Sequence, residues 1–490
     1  MIRTLTLWLF SWSALWAQVV PTQHLEILCD DKKYEDFGIL PLAEKGLIVT
    51  RKVDNPGNGV NELFHFTKYD STMTLRWETE FKLRHTFTGL LSYHNHECLY
   101  WLCSEPASQK VEIWKIWLET GETELIEGEI QAIDEVSQFI VLGNKAFLAG
   151  KYNDRPVVVG FSFFDKSSTV LRDIHDNNLV INGLTINEST NELLVSTRTT
   201  RKGKCQLNLH IYSYDGKLER KETPIDDSGK TLLPGKLIPL PNGKILVTGT
   251  YSTNCSDYSR GLYFTHLSNE PGYSPIRYVP FSDLEHFFNY LKPSQQERMK
   301  NRITEWQKQG KEPKNNYLIQ IQDLTRTPDG YVLVAEAYYT QSVSTMTTRP
   351  NSRKGDSYHF THTILCGLDL DGNLRWDNSL ALDDQTSGIL EQQVQLQPVG
   401  KNLILAYPHD DKVRSLMIEK NKVIGKVVES PLLPEEVKKN LTGDDSPTLE
   451  EWYGPYFLTW GIRRIPNPYN ESSKTVFFVY KLAYQPDNQE

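Results

Sequence analysis

A polar turn running into a short apolar strand recurs along almost the whole chain. It is seen in AEKGLIVT (43–50), LGNKAFLAGKY (142–152), STNELLVSTR (189–198), LPNGKILVTGTY (240–251), TPDGYVLVAEAYY (327–339) and VGKNLILAYP (399–408). A second unit alternates with it, a strand, a tight turn and a strand often holding Trp: FTKYDSTMTLRWE (66–78), IYSYDGKLERK (211–221) and GLDLDGNLRWDN (367–378). Asn-Gly and Asp-Gly supply the positive φ angles of tight hairpins, and the flanking β-branched and aromatic residues suit a pleated, half-buried surface. Two such hairpins make one four-stranded antiparallel sheet, and the pair returns at roughly 40–50 residues, the spacing of a propeller blade.

This periodicity predicts an all-β fold, a β-propeller of seven or eight four-stranded blades, with eight favoured. Blade-like segments fall at 37–81, 88–127, 136–175, 180–224, 237–280, 318–381, 394–430 and 450–485. The segment HLEILCDD (24–31) is placed to complete the last blade and close the ring. Degenerate repeats leave a pair of β-sandwiches or a β-helix as the rival architecture.

One stretch breaks the pattern. Residues 281–313 read as a helical hairpin inserted between two blades. Ser282 with Glu285 and Ser294 with Glu297 match the capping box that satisfies free N–H groups at a helix start. Pro293 separates the two arms. Leu284, Phe287, Phe288 and Leu291 line one face of the first arm, and Met299, Ile303 and Trp306 one face of the second. Such an insertion packs over a blade edge, or serves as a lid or docking element.

Residues 1–17 have the parts of a secretory signal peptide: Arg3, an uncharged apolar run from Leu5 to Trp16, and a small residue at Ala17. Cleavage is expected between Ala17 and Gln18, leaving residues 18–490 as one propeller domain. No Cys follows the cut to carry a lipid. The best later apolar run, Pro156–Phe164, has the length of a strand, so no transmembrane segment is expected after signal removal. The chain holds 53 Lys and Arg against 62 Asp and Glu, a net charge of −9. That acidic balance argues against nucleic acid, whose binding rests on neutralising phosphates.

Export permits disulfides, and six Cys are present: Cys29, Cys98, Cys103, Cys205, Cys255 and Cys366. None forms a C-x-x-C pair. Similar loop positions in consecutive blades make Cys205 and Cys255 a candidate disulfide. His94, His96 and Cys98, at i, i+2 and i+4, share one face if they lie on a strand, but exposed His residues or a disulfide explain them as well as a metal does. His359 and His362 fall on opposite faces of a strand. The DLDGN segment (369–373) lacks the Gly and Glu positions of an EF-hand and reads as a turn. SGKT (228–231) lacks the first Gly and the helix of a phosphate-binding loop. The acidic pairs Asp383–Asp384, Asp410–Asp411 and Asp444–Asp445 read as solvated loops. No catalytic residue, cofactor or metal site is identified.

GLDLDGNLRWDN (367–378) is similar to the repeat of quinoprotein-type propellers, in which a Trp after a turn docks neighbouring blades. It occurs well once, with a partial copy at YDSTMTLRWE, so no quinone cofactor is expected. RRIP (463–466) is similar to the arginine motif of sialidases, but the Asp-boxes of that family are missing. More broadly, the N-terminus, EAYY (336–339), FTHTILCGLDLDGNLRWDN (360–378) and the insertion resemble secreted bacterial β-propeller-like proteins of unassigned activity, best over 281–408. The resemblance implies a Gram-negative periplasmic, cell-surface or extracellular setting. The leading expectation is an exported, non-enzymatic scaffold or binding protein for a protein or glycan partner. The alternatives are a carbohydrate- or lactone-acting hydrolase or lyase with acidic residues at one channel mouth, and a cell-envelope subunit docking through the insertion.

Overall fold

The structure, a computed structural model, describes residues 18–30, 34–54, 62–84, 86–105, 108–174, 176–201, 203–224, 228–241, 243–267, 275–313, 315–342, 356–441, 448–465 and 473–485. The signal segment 1–17 and the pair Asp444–Asp445 lie outside the described residues.

Seven four-stranded antiparallel sheets and one six-stranded sheet form the ring of a β-propeller. Blades 1 to 7 occupy 34–83, 88–129, 135–170, 179–222, 231–280, 317–387 and 395–431. Blade 8 takes three strands from 448–485, and its outermost strand is the N-terminal Gln18–Leu28, paired antiparallel with Lys474–Gln485. First and last parts of the chain thus close the ring in one sheet.

Apart from blades 6 and 8, each blade follows chain order from the axis outwards, so the first strand is innermost, and the inner strands of blades 2 to 5 and of blades 7 and 8 touch in turn. Turns between first and second and between third and fourth strands lie on one face of the ring. Loops between second and third strands, with the blade-to-blade crossovers, lie on the other. Alternation along each strand sends side chains to both sides of its sheet. The buried apolar residues accordingly separate into eight clusters, each between two consecutive blades.

Polar latches join the blades where the clusters end. The Trp77 indole N–H of blade 1 donates to the Leu118 carbonyl of blade 2 (3.1 Å), and the buried Lys68 ammonium donates to the same oxygen (2.6 Å). Trp452 of blade 8 donates to Gly46 O of blade 1 (2.9 Å), and Lys481 donates to Ser71 O (2.8 Å). His266 of blade 5 reaches the Asp371 carbonyl of blade 6.

The insertion is not a helical hairpin. Only its second arm is an α-helix, Pro293–Lys308, while the first is two 3-10 turns, Phe281–Asp283 and Phe287–Tyr290. The first arm is unwound because blade 6 supplies its backbone partners. Asp377 accepts from the N–H groups of Glu285 (3.0 Å) and His286 (2.8 Å), and Ser379 Oγ donates to His286 O (2.7 Å). Ser282 bonds Asp283 instead of capping a helix (3.2 Å). The helix starts with Pro293 at its first position, and Gln295 Oε1 accepts from Lys292 N–H (3.2 Å), so the Ser294–Glu297 box is not used. Leu284, Phe287, Phe288 and Ile303 are buried with Leu246, Leu262, Leu333 and Ile364. The insertion is a wedge between blades 5 and 6.

Candidate functional site

Two of the larger cavities lie on opposite faces of the ring, and one is built from inner strands near the axis. This cleft, of 610 Å³, is lined by the crossover from blade 6 to blade 7 (Gln385–Gln393), by Gln395, by the turn at His409–Asp410, and by Thr448–Glu451. It lies on the crossover face. Its volume is within the range of small-ligand sites.

The inner strand of blade 7, Gln395–Val399, sets one wall. In the run QVQLQ (393–397), Val394 and Leu396 pack into the cluster between blades 6 and 7. The opposite parity carries Gln393, Gln395 and Gln397, which are 6%, 9% and 5% exposed. Gln393 is held by Gln385 Nε2 (2.8 Å) and donates to Glu391 O (3.0 Å). Gln395 has no hydrogen-bond partner for its amide among the described residues, although it is nine-tenths buried at the cleft.

Beneath this wall lies Glu336, fully buried in the second strand of blade 6. It accepts from the N–H groups of Gln393 (3.1 Å) and Val394 (2.7 Å) and from Gln322 Nε2 (2.9 Å). Burial raises its pKa to about 7 against the opposing pull of those donors. Its role is structural, pinning the crossover that carries the cleft's glutamines.

Glu450 and Glu451 occupy consecutive positions of the inner strand of blade 8, and both line the cleft. Burial, then the neighbouring charge of Glu451, raises Glu450 to about 7. Burial also raises Glu451, opposed by the Leu396 N–H and reinforced by Asp323. Asp323 itself is paired with Lys236 of blade 5 (2.6 Å).

Among the described residues Glu391, Asp410, Glu450 and Glu451 give the cleft four carboxylates, and neither Lys nor Arg lines it. Among the described residues none of the four is paired with Lys or Arg. The one contact with a basic group is Asp410 to His409 Nε2, at 3.9 Å. Neighbouring acids outside the cleft are neutralised, as Asp383 is by Arg414 (3.0 Å) and Asp411 by Lys438.

The motifs singled out in the sequence lie elsewhere. Gln18 opens the closing strand, its backbone opposite Gln485, while Ala17 is outside the described residues. Cys205, in the third strand of blade 4, is joined to Cys255, in a loop of blade 5, with Cα atoms 5.1 Å apart. The same loop places Tyr258–Ser259 against Tyr317–Leu318 on the axis side of blade 6. His94, His96 and Cys98 do not share a strand face. His94 ends one strand, Cys98 begins the next, and Asn95 Oδ1 folds the turn by accepting from Glu97 N (2.9 Å) and Cys98 N (2.8 Å).

His359 stacks on Tyr339, and His362 is buried against Tyr290, with a bulge between Phe360 and His362 breaking the simple alternation. DLDGN is a strand-to-strand turn, with Asp369 Oδ1 accepting from Asp371 N (3.0 Å) and Asn373 N (2.8 Å). Thr231 of SGKT opens a strand, and Arg463 of RRIP pairs with Glu26. Among the described residues no three His, Cys, Asp or Glu side chains converge as metal ligands, and no helix is long and apolar enough to cross a membrane.

Sequence reasoning passed over the cleft. The signal was present in QVQLQ, where amides alternate with core residues on what must be an inner strand. Glu450 and Glu451 join those glutamines only when blades 7 and 8 are side by side.

No protein-family model matches the chain, and no curated protein matches it in sequence. Solved structures resemble it at low identity. The periplasmic gluconolactonase PpgL of Pseudomonas aeruginosa is 10% identical over 81% of this chain and 96% of that one, with a TM-score of 0.40. The polysaccharide lyase Uly1 is 10% identical over 80% and 89%, with a TM-score of 0.38. The β-propeller domain of Vanderwaltozyma polyspora Nup133 is 10% identical over 81% and 100%, with a TM-score of 0.37. The structures similar to this chain are β-propellers of various kinds.

Proposed function

We propose that this chain is an exported binding propeller that takes its ligand in the cleft between blades 6, 7 and 8. The observation that carries this reading is the pairing of a 610 Å³ cleft with a buried glutamine whose amide is left unpartnered at its wall. The Gln395 amide faces the cleft without a protein partner among the described residues, so a ligand there can take its hydrogen bonds in place of water. Export rests on the signal-like segment 1–17, with a mature chain starting at Gln18.

Filling the cleft tests the site. Thr448 is exposed at its edge, so Thr448→Trp blocks it without touching the core. Glycans, peptides and small metabolites are screened by calorimetry against both proteins. A ligand bound by the wild type and lost in Thr448→Trp supports the reading, and ligands bound equally by both overturn it.

A second reading follows from Glu450, whose pKa of about 7 suits a general acid near neutral pH. Turnover of a cleft ligand, abolished by Glu450→Gln with binding retained, replaces binding by catalysis. The docking alternative rests on the exposed polar face of the helix Pro293–Lys308, because the apolar face of the insertion packs between blades 5 and 6.

A further inference from the structure

Resting on the cleft as the ligand site, we infer that its ligand is an organic cation, recognised through a primary ammonium or guanidinium group. Three observations point the same way. Among the described residues four carboxylates and no Lys or Arg line the cleft, Glu450 and Glu451 half-buried and Glu391 and Asp410 at its exposed rim, while acids just outside it, Asp383 and Asp411, are paired. The Gln395 amide, nine-tenths buried, adds an unpartnered carbonyl acceptor at the same wall. Among the described residues no Phe, Tyr or Trp lines the cleft, so it lacks the broad aromatic platform on which the flat face of a sugar or base stacks.

A carboxylate in a partly buried site costs free energy unless an opposite charge or a donor reaches it. Burial opposes ionisation of Glu450 and Glu451. An ammonium or guanidinium group carries the missing charge and several N–H donors together. Guanidinium also forms two parallel bonds to one carboxylate. The carboxylates stand on a crossover, a turn and an inner strand from three blades, and among the described residues no metal-ligating set converges. That spread fits an extended molecule with separated donors better than a bare divalent ion.

Such a group comes from a free polyamine or from Lys and Arg side chains of a peptide, and calorimetry distinguishes these sources. The probes are spermidine, tri-arginine and tri-lysine, with tri-glutamine, a neutral oligosaccharide and calcium as controls, against the mature wild-type chain. The expected result is binding of a cationic probe, weakened about tenfold or more in Glu450→Gln/Glu451→Gln and weakened again as salt is raised. Gln395→Leu gives a smaller loss with the salt dependence kept.

Spermidine binding with no peptide binding identifies the polyamine source, and the reverse identifies the peptide. Thermal melting of each variant shows that the fold persists. Cation binding unchanged in the double variant overturns the inference, as does competition by calcium alone. A neutral ligand lost in Thr448→Trp while all cations fail overturns the cation and keeps the cleft. Failure of every ligand overturns both.

Discussion

His362 shows what one buried side chain imposes on the molecule. It is fully buried, stacked on Tyr290 with ring centroids 4.0 Å apart, and its Nε2 has no partner. Its Nδ1 meets the Thr361 hydroxyl at 2.9 Å. Burial lowers its pKa to about 3, against an unfolded value near 6.5. The unfolded chain therefore binds more protons between those values, and stability rises with pH across that window. His362 costs nothing above about pH 6.5 and increasingly destabilises the fold as pH falls below it.

His210, lowered to about 4 by burial, acts in the same direction. Glu336, raised to about 7, acts oppositely, since its burial penalty grows as pH rises from about 4.5 towards 7. Replacing His362 by Phe keeps a ring against Tyr290 and removes the proton site. The melting temperature of His362→Phe is expected to fall less than that of the wild type between pH 6.5 and pH 4.5. Parallel profiles for the two proteins would contradict this account.

At the scale of the element, the Trp-bearing hairpins hold blade to blade. Gly121 has φ +74° in the turn of blade 2, and a Cβ there would lie 2.6 Å from the Trp77 ring of blade 1. Alanine at this position meets both a left-handed backbone and the docked indole. Gly425, with φ +79° and nothing within 4 Å of its Cβ position, meets the backbone term alone. Gly425→Ala is expected to cost about 1 kcal/mol. Gly121→Ala is expected to cost more, about 2–4 kcal/mol, with a shift in tryptophan emission as Trp77 is displaced. Equal melting temperatures for the two variants would show that the indole yields freely.

The blades were legible in the sequence for the same local reason. Asx-Gly turns and two-residue alternation are encoded within a few residues of each other, so the anticipated segment 88–127 is close to the blade at 88–129. The first arm of the insertion was misread because Leu284, Phe287, Phe288 and Leu291 have helical spacing. The backbone of the intervening Glu285 and His286 is instead captured by Asp377 and Ser379, residues about ninety positions away that no local pattern reports. The cleft failed to show for the same reason, as its walls come from three blades.

For the whole molecule the question is how a ring of similar sheets is kept closed. One closure is the strand Gln18–Leu28, which completes blade 8 and buries Val19 beside Leu482 and Tyr484. A second constraint ties the crossover-face loops of blades 4, 5 and 6. Cys205 and Cys255 join two of them across 50 residues of sequence, Arg198 faces Asp257 at 3.8 Å, and Tyr258–Ser259 pair with the inner strand of blade 6. A covalent tie across a segment of that length restricts the unfolded chain, which stabilises the fold by about 2–4 kcal/mol.

The tie also tests the proposed address, because a disulfide persists in an oxidising compartment and is reduced in the cytosol. Protein recovered from the periplasm is expected to begin at Gln18 and to yield a Cys205–Cys255 linked peptide under non-reducing digestion. Its melting temperature should fall by several degrees on reduction or in Cys205→Ser/Cys255→Ser. Cys98, Cys103 and Cys366 are buried thiols outside the Cys205–Cys255 bond. Alkylation after unfolding should therefore label two more Cys in the reduced protein than in the oxidised one. Six labelled thiols in exported protein would remove the tie. The loop at 253–260 would then be held by the Arg198–Asp257 pair, by Arg260 donating to Asn316 and by its strand pairing.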